Sequence, residues 1–417
     1  MSDNKKIGAT YQYFFILGNT PILSSAEIFA VLGRRGLAVR LVSVSEEVAI
    51  IETNALIDPL ALMATLGGTI KIGAMLPSST TTEQWVRSRK SEGRIVVGVS
   101  VYKSATGVSN AKCEETLRTV RGEILTCKRA LKEEGKALRL VTGRERALPS
   151  VALVTEHILE RGGELVVFLS NNGETQFGET NAVQAFHAYR SRDMGRPSRD
   201  ALRGMLPQKV AQMMINCALY RSEATGAGPT PVICDPFCGS GTVLSEAALL
   251  GYNVIGSDIS EEAVADTQKN FQWLKNDSRF TIHDSRFFVS DVRSIADHLE
   301  KQSVDAIVTE PYLGPPLTGG ETPELLGKVR RDIHTLVTDA FGSFTKVVRA
   351  GGRVVIILPV LGGELLRIDG IEELGWRLVS VVPEEAKRLS GITARGTILY
   401  SRDDQHLARE ITVWERE

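Results

Sequence analysis

Residues 232–251 read VICDPFCGSGTVLSEAALLG, which is typical of a buried strand, a glycine-rich turn and a following helix. Gly239 and Gly241 let the backbone approach a ligand closely, and the N-terminus of the helix favours hydrogen-bond acceptors or negative charge. A nicotinamide fingerprint needs a third glycine where this chain has Leu244. Asp235, just before the turn, would repel a pyrophosphate but suits a cationic ligand, such as the amino and sulfonium groups of S-adenosylmethionine.

Two further acids end predicted strands downstream of this turn. Asp258 ends the strand at 254–257, and Asp291 follows the strand at 287–290. Because ligands of open α/β sheets bind at the carboxyl ends of the strands, we expect both acids near Asp235. Asp258 is placed to accept hydrogen bonds from ribose hydroxyls, and Asp291 from an adenine amino group. A single acid of this kind is more often a cap or turn residue, and it is the set of three at successive strand ends that favours a ligand site.

A fourth predicted strand, 305–309, ends in Thr309-Glu310-Pro311-Tyr312. Proline fixes the local backbone, a tyrosine ring can stack on a nucleobase, and a carboxylate can hold an exocyclic amine. Such an amine is a weak nucleophile because its lone pair is delocalised into the ring. It therefore needs oxygen acceptors and alignment with a methyl sulfonium. The alternative interpretation is an ordinary proline-rich turn.

The order of predicted elements differs between the two parts of the chain. After Pro207, short strands alternate with helices, which indicates a doubly wound α/β domain. The first part begins in the order β-α-β-β-α, typical of a small α+β unit. A second unit starts near Arg94 and contains a long basic helix at 112–134. The polar, arginine-rich segment 181–207 separates the two parts.

Composition excludes several classes of protein. The 417 residues carry a net charge of −1, so binding of nucleic acid through global charge is disfavoured. Charge is nevertheless uneven, with 15 basic against 7 acidic residues in 85–146, and 6 against 13 in 235–310. Five cysteines without a CxxC pair and six histidines without ligand spacing predict a reducing cytoplasm and no metal. We expect neither a signal peptide nor a membrane span.

Three segments carry a resemblance to a known family. The segment DPFCGSGTVLSEAALLGYNVIGSDIS, residues 235–260, resembles the cofactor-binding segment of THUMP-domain tRNA guanosine-N2 methyltransferases. The segment RDMGRPSRDALRGMLPQKVAQMMINCAL, residues 192–219, is similar to their connector. In archaea and eukaryotes this family modifies the guanosine at the junction of acceptor stem and D-arm. The segment at 395–411 is like the family's terminal strand region.

The resemblance implies a domain organisation and a cofactor. A Rossmann-like class I methyltransferase domain at 208–417 would follow a ferredoxin-like α+β domain at 1–80, a THUMP-like RNA-binding domain at 81–180 and a linker at 181–207. The cofactor would be S-adenosyl-L-methionine. Its methionine part would lie against Asp235, Phe237, Cys238, Gly239, Gly241 and Thr242, its ribose against Asp258 and Ile259, and its adenine against Asp291.

The catalytic motif departs from the family pattern. The family usually shows Asp or Asn, then Pro, Pro and an aromatic residue. Here Pro311 and Tyr312 align, while the acid, Glu310, is shifted by one position and Thr309 precedes it. Either Glu310 reaches the amine, or Thr309 and backbone carbonyls hold it instead.

Arginines of the connector are the candidate RNA contacts. Arg192, Arg196, Arg199 and Arg203 would lie between the RNA-binding part and the active site, where they would bind phosphates. The alternative is that they form ion pairs with the alternating Asp193 and Asp200.

The sequence thus predicts an S-adenosylmethionine-dependent tRNA (guanine-N2-)-methyltransferase that binds structured tRNA and flips one base out of its stack. The alternatives are an amino-methyltransferase of rRNA or DNA, a non-catalytic RNA-binding protein that keeps the fold, and a nicotinamide oxidoreductase. Mono- or dimethylation, a homodimer and a helper subunit stay open.

Overall fold

The computed structural model divides by its contacts into two units. The first unit extends to Pro21 and includes Leu37–Phe186, and the second consists of Ile22–Gly36 and the chain from His187 onward. The structure describes residues 10–199, 206–219, 229–277, 282–317, 319–401 and 407–417. Arg203 and Asp200 therefore lie outside the described residues.

Eight strands of the first unit form one mixed sheet. The strands are β1 Tyr11–Leu17, β2 Val39–Val44, β3 Val48–Thr53, β4 Thr69–Met75, β5 Ile95–Lys103, β6 Leu138–Val141, β7 Gly162–Leu169 and β8 Thr175–Val183. Their order across the sheet is β2-β3-β1-β4-β8-β7-β5-β6. β5 pairs in parallel with β6 and β7, and the other neighbours are antiparallel. Strands from both sides of residue 80 share this sheet, and the boundary between domains 1–80 and 81–180 stays a prediction.

The first six helices are α1 Pro21–Arg34, α2 Pro59–Met63, α3 Thr82–Arg87, α4 Asn110–Glu133, α5 Ser150–Thr155 and α6 Ile158–Arg161. All except α1 lie in the first unit. The long helix α4 is amphipathic: Leu117, Val120 and Ile124 are buried on one face, and the N-cap Ser109 accepts a hydrogen bond from the Lys112 N–H. This is the long basic helix that the sequence predicted.

A buried ion pair lies in the first unit. The Lys71 ammonium on β4 is 2.6 Å from Glu164 Oε1 on β7 and donates to the Leu148 carbonyl at 2.8 Å. Ser100 and Thr180 donate their hydroxyls to the two oxygens of Glu164. Both charged side chains are at most 1% exposed. Buried charges need such partners because an unpaired one loses its hydration without compensation.

Nine strands of the second unit form the other sheet. The strands are β9 Val232–Asp235, β10 Asn253–Asp258, β11 Ser285–Val289, β12 Val304–Thr309, β13 Val348–Leu361, β14 Glu364–Leu365, β15 Trp376–Leu378, β16 Ile398–Tyr400 and β17 Ala408–Arg416. The main path is β11-β10-β9-β12-β13-β17-β15. The strands from β11 to β13 are parallel, and β17 and β15 are antiparallel to their neighbours.

The strand order reverses at β9. The chain passes from β9 outward through β10 to β11, and then returns with β12 on the other side of β9. Such a reversal opens a crevice at the carboxyl ends of the two flanking strands, where ligands of α/β sheets bind. In this sheet those ends are Asp235 and Thr309.

The remaining helices are α7 Phe186–Gly195, α8 Gln208–Ala218, α9 Thr242–Leu249, α10 Glu261–Lys275 and α11 Pro323–Val347, with 3-10 turns at Val292–Asp297, Glu372–Leu374 and Glu384–Arg388. Helix α11 buries Phe341 against the rings of Trp376 and Trp414. Helix α1 packs on α8, where Asn216 Nδ2 donates to Glu27 Oε1 at 2.8 Å.

The predicted doubly wound α/β pattern after Pro207 is confirmed, and the mixed α/β domain is Rossmann-like in its strand order. β13 is longer than the predicted strand at 353–358 because β17 pairs with it along most of its length. The predicted linker 181–207 contains all of α7, and every residue of this helix except Phe186 belongs to the second unit. The domain bounds 181–207 and 208–417 stay predictions.

We expect Lys71→Met to lower the free energy of unfolding by about 3–5 kcal/mol, because it leaves the Glu164 carboxylate buried without its cation. Chemical denaturation followed by circular dichroism measures this loss. The matched control is Lys71→Met combined with Glu164→Gln, which removes the uncompensated charge and should regain most of the stability. Equal losses in the single and double variants would contradict this assignment.

Candidate functional site

The site is built around a buried carboxylate at the reversal point of the sheet. Thr309 Oγ1 donates to Asp235 Oδ1 at 2.6 Å, and the Phe237 backbone N–H donates to the same oxygen at 3.1 Å. Asp235 is 2% exposed and Thr309 is fully buried. Within the described parts of the chain, Asp235 Oδ2 has no hydrogen-bond partner. One carboxylate oxygen is therefore fixed by the fold and the other is left to a ligand.

Asp235 titrates near neutral pH. Burial raises its pKa to about 7, against the lowering effect of the hydrogen bonds from Thr309 and Phe237. The negative charges of Asp258 and Glu310 raise this pKa further. A cation bound beside Asp235 would favour the ionised form, because opposite charge offsets the cost of burial.

The glycine turn is held rigidly beside Asp235. Gly239 and Gly241 have φ values of 51° and 80°, which L side chains rarely adopt. The Gly239 N–H donates to Asp258 Oδ2 at 3.0 Å, and its carbonyl accepts from Thr267 Oγ1 at 2.8 Å. A Cβ built on Gly239 would meet nothing within 4 Å. The turn thus leaves open space next to a fixed backbone.

Asp258 and Ile259 lie where the sequence predicts a ribose contact. Asp258 Oδ1 accepts from the Ser260 N–H at 3.0 Å, and each carboxylate oxygen keeps a second lone pair. Ile259 is 71% exposed at the carboxyl end of β10, where an apolar side chain can cover a sugar. The contact of both residues with a ribose stays a prediction.

Asp291 has the capping role that was its alternative interpretation. Its Oδ1 accepts from the Arg293 N–H at 2.9 Å at the start of a 3-10 turn, and Oδ2 is 3.1 Å from Arg293 Nη1. Its contact with an adenine amino group stays a prediction.

Cys238 and Thr242 flank the turn. Cys238 is buried, and burial raises the pKa of its thiol, so it is a neutral packing residue at neutral pH. Thr242 begins α9 and accepts a hydrogen bond from Arg196 Nη1 at 2.9 Å. Its hydroxyl is thus already engaged by the connector.

The two functional side chains of the predicted catalytic motif, Glu310 and Tyr312, differ in their exposure to solvent. Glu310 is largely buried, and its Oε1 accepts from Arg409 Nε at 2.7 Å. Tyr312 is 60% exposed and available for stacking, while Pro311 between them is buried. Arg409 was not among the residues expected from the sequence.

The arginines of the connector differ in their exposure and in their partners. Arg192 forms a two-point ion pair with Glu246 of α9, at 3.0 Å for each contact, and Glu246 is buried. Arg196 is 8% exposed, and its guanidinium donates to the Thr242 hydroxyl. Neither guanidinium offers an exposed surface to a phosphate in this structure, and the partner of Arg192 is Glu246 rather than Asp193. Arg199 is exposed.

Two polar residues of α10 that the sequence did not single out hold the turn in place. Asn270 Nδ2 donates to the carbonyls of Ser240 and Ser198 at 2.8 and 3.0 Å, which ties the connector to the turn. Thr267 holds Gly239 as described above. No local motif marks either residue, since both lie within an ordinary amphipathic helix.

The residues that the structure describes contain no group of three or more His, Cys, Asp or Glu side chains arranged to hold a metal ion. None of their helices combines the length and the apolar character needed to cross a bilayer.

Part of the second unit is similar to a known family. Residues 199–359 match the model of the UPF0020 family, described as an RMKL-like methyltransferase domain. The chain is 36% identical over 124 residues to tRNA (guanine(10)-N2)-dimethyltransferase of Methanothermobacter thermautotrophicus, covering 30% of this chain and 32% of that protein. It is 26% identical over 174 residues to the Pyrococcus abyssi enzyme of the same name, covering 42% and 44%. The chain thus matches less than half the length of these two relatives.

Among solved structures, TrmN from Thermus thermophilus superposes with a TM-score of 0.47 at 14% identity, covering 98% of this chain and all of that one. The similarity to tRNA guanine-N2 methyltransferases that the sequence suggested is confirmed over the matched residues. The THUMP-like domain stays a prediction.

We expect Asp235 to make the free energy of unfolding depend on pH. Its pKa is about 7 in the fold, against an ordinary value of 3.8, so between these values the folded state holds a proton that the unfolded chain has lost. Stability should therefore fall by up to about 1.4 kcal/mol per pH unit as pH rises from about 4 to 7, and then level off.

Urea denaturation of the wild type and of Asp235→Asn across this range measures the effect. The amide does not titrate, so the variant should lack this slope and should be more stable than the wild type above pH 7. Parallel curves for the two proteins would contradict the raised pKa.

Proposed function

We propose that this chain, whose residues 199–359 match the model of an RMKL-like methyltransferase domain, transfers methyl groups from S-adenosylmethionine to the exocyclic N2 of guanosine in tRNA. The observation that carries the proposal is the buried pair of Asp235 and Thr309 at the reversal point of the sheet, where Asp235 Oδ2 has no hydrogen-bond partner among the described residues. Sequence relatives named tRNA (guanine(10)-N2)-dimethyltransferase support the choice of substrate.

The residues at this point fit the cofactor. When bound, S-adenosylmethionine supplies an electrophilic methyl group on a sulfonium. Asp235 Oδ2 would accept from its amino group, and Phe237, Cys238, Gly239, Gly241 and Thr242 would surround its methionine part. Asp258 and Ile259 would bind the ribose, and Asp291 the adenine amino group. The open space over Gly239 supports this arrangement.

The residues of the motif would act on the base. Tyr312 would stack on the flipped guanine, and Glu310 would accept a hydrogen bond from the N2 amine, while Thr309 and Pro311 fix the strand end. The amine nitrogen forms the new bond to carbon, the electron pair of the broken carbon–sulfur bond stays with sulfur, and the amine loses one proton. Alignment and hydrogen bonding are what this weak nucleophile requires.

RNA binding would involve the first unit and the connector, in the cytoplasm. The excess of basic residues in 85–146 supports a THUMP-like RNA-binding role for 81–180, with exposed Lys128 and Arg129 on α4. Of the four connector arginines, Arg199 is the exposed one among the described residues and is our candidate phosphate contact. Arg192 and Arg196 would instead support the turn and α9 from within.

Transfer of labelled methyl to deproteinised tRNA, with the product nucleosides identified by mass spectrometry, tests the proposal. We expect N2-methylguanosine or N2,N2-dimethylguanosine. Label appearing only in rRNA or DNA, or on adenosine or cytidine, would overturn the substrate. Donor binding without transfer to any RNA would favour a non-catalytic RNA-binding protein.

We expect Asp235→Asn to weaken binding of S-adenosylmethionine by at least about tenfold, because the loss of a buried charge opposite a cation costs more than 1.4 kcal/mol. In the wild type, affinity should fall about tenfold per pH unit below 7, as Asp235 becomes protonated. Calorimetric titration with donor measures both effects. Unchanged affinity in Asp235→Asn would remove Asp235 from the donor site.

We expect Arg199→Ala to weaken tRNA binding and to reduce the slope of log K against log salt by about 1. The matched control is Lys301→Ala, since Lys301 is also exposed but precedes β12 at the amino edge of the sheet. Filter binding across a salt series gives both slopes. A slope as steep as that of the wild type would argue against phosphate contact by Arg199.

A further inference from the structure

The acid of the shifted motif has a buried partner on the last strand. Arg409 lies on β17 in register with Pro359 of β13, and β13 is the neighbour of β12. Its Nε is 2.7 Å from Glu310 Oε1, with the two side chains 10% and 15% exposed. The pair thus joins the outer, antiparallel part of the sheet to the strand end where the catalytic motif lies.

Glu310 needs this cation because of its surroundings. It lies close enough to Asp235 for its charge to raise the pKa of that acid, and Asp258 acts on Asp235 in the same sense. Burial raises the pKa of Glu310, and Arg409 opposes that shift. Without the guanidinium, a buried carboxylate among other acids would take up a proton and lose its acceptor strength.

The two oxygens of Glu310 are not equivalent. Oε1 is held by Arg409, whereas Oε2 has no hydrogen-bond partner among the residues that the structure describes. Arg409 Nη1 also donates to the Leu407 carbonyl at 3.3 Å, which fixes the guanidinium against its own strand. A carboxylate that is fixed through one oxygen presents the other oxygen in a defined position. This lowers the entropic cost of accepting a hydrogen bond from the amine of a bound base.

We propose that Arg409 is a positioning residue that holds Glu310 through Oε1 so that Oε2 accepts the N–H of the target exocyclic amine. This deepens the proposed function and rests on it. As the nitrogen bonds the methyl carbon and the carbon–sulfur electron pair stays with sulfur, the amine proton passes to Glu310 Oε2 and from there to water. The ion pair would thereby compensate for the acid's displacement by one position in the motif, and it selects a base edge that carries an amino group rather than a carbonyl.

The test compares Arg409→Met, Arg409→Lys, Glu310→Gln and the double variant Glu310→Gln with Arg409→Met. We expect Arg409→Met to lower the single-turnover rate of methyl transfer to tRNA at least about tenfold, with donor affinity and the KM for tRNA changed less than about threefold. Arg409→Lys should recover part of the rate. The double variant should be no slower than Glu310→Gln alone, because Arg409 acts through Glu310.

Arg353→Met is the matched structural control. Arg353 of β13 forms a similarly buried ion pair with Glu415 of β17, 2.7 Å apart. This pair lies six residues along β13 from Pro359, the residue that is in register with Arg409. We expect that variant to lower the midpoint of thermal unfolding while kcat and KM of the folded protein stay unchanged.

Several outcomes would overturn the inference. They are an unchanged rate in Arg409→Met, multiplicative losses in the double variant, or a loss confined to the KM for tRNA, which would make Arg409 an RNA contact. If Arg409→Met does not fold, the double variant removes the uncompensated charge, and a rate below that of Glu310→Gln would still count against the inference. A wild type that binds donor but methylates no RNA would fail at the proposed function instead, before Arg409 is at issue.

Discussion

The second unit depends on accommodating a carboxylate where its sheet reverses. Asp235 is almost inaccessible to solvent, and its hydrogen bond from Thr309 joins the ends of two neighbouring strands that are 74 residues apart in sequence. Burial there disfavours the charged form of Asp235 and raises its pKa, so ionisation of this acid near neutral pH costs the fold free energy. A cation that enters the crevice would offset this cost, which is the physical basis for the proposed role of Asp235 in binding a cationic methyl donor.

Much of the candidate site could be predicted from the sequence, because its residues lie in short segments next to strand ends. The glycine turn, the acids after successive strands and the motif at the end of β12 each lie within a few residues of a strand end, and a parallel sheet brings such ends to one edge. The family resemblance came chiefly from the segments 192–219 and 235–260, and the prediction of a methyltransferase followed from it.

The sequence did not predict the ion pairs whose two partners are far apart along the chain. Arg409 is 99 residues from Glu310 and Arg192 is 54 residues from Glu246, so nothing local distinguishes these arginines from solvated ones. The alternating charges of the connector suggested either phosphate contacts or neighbouring ion pairs, yet Arg192 bonds to a buried acid of α9. Strands β4 and β8 were also missed, since glycine, threonine and lysine interrupt their apolar pattern and the sheet around them provides the stability.

The position of helix α1 in the chain matters for any attempt to isolate the second unit. Its residues 22–36 are assigned to the second unit although they are encoded between two strands of the first, so the chain passes from one unit to the other three times. A truncated clone beginning at residue 187 would lack the helix that covers Met213 and Asn216 on α8 and would expose that apolar surface to aggregation. A soluble fragment would require α1 to be grafted onto its N-terminus through a designed tether.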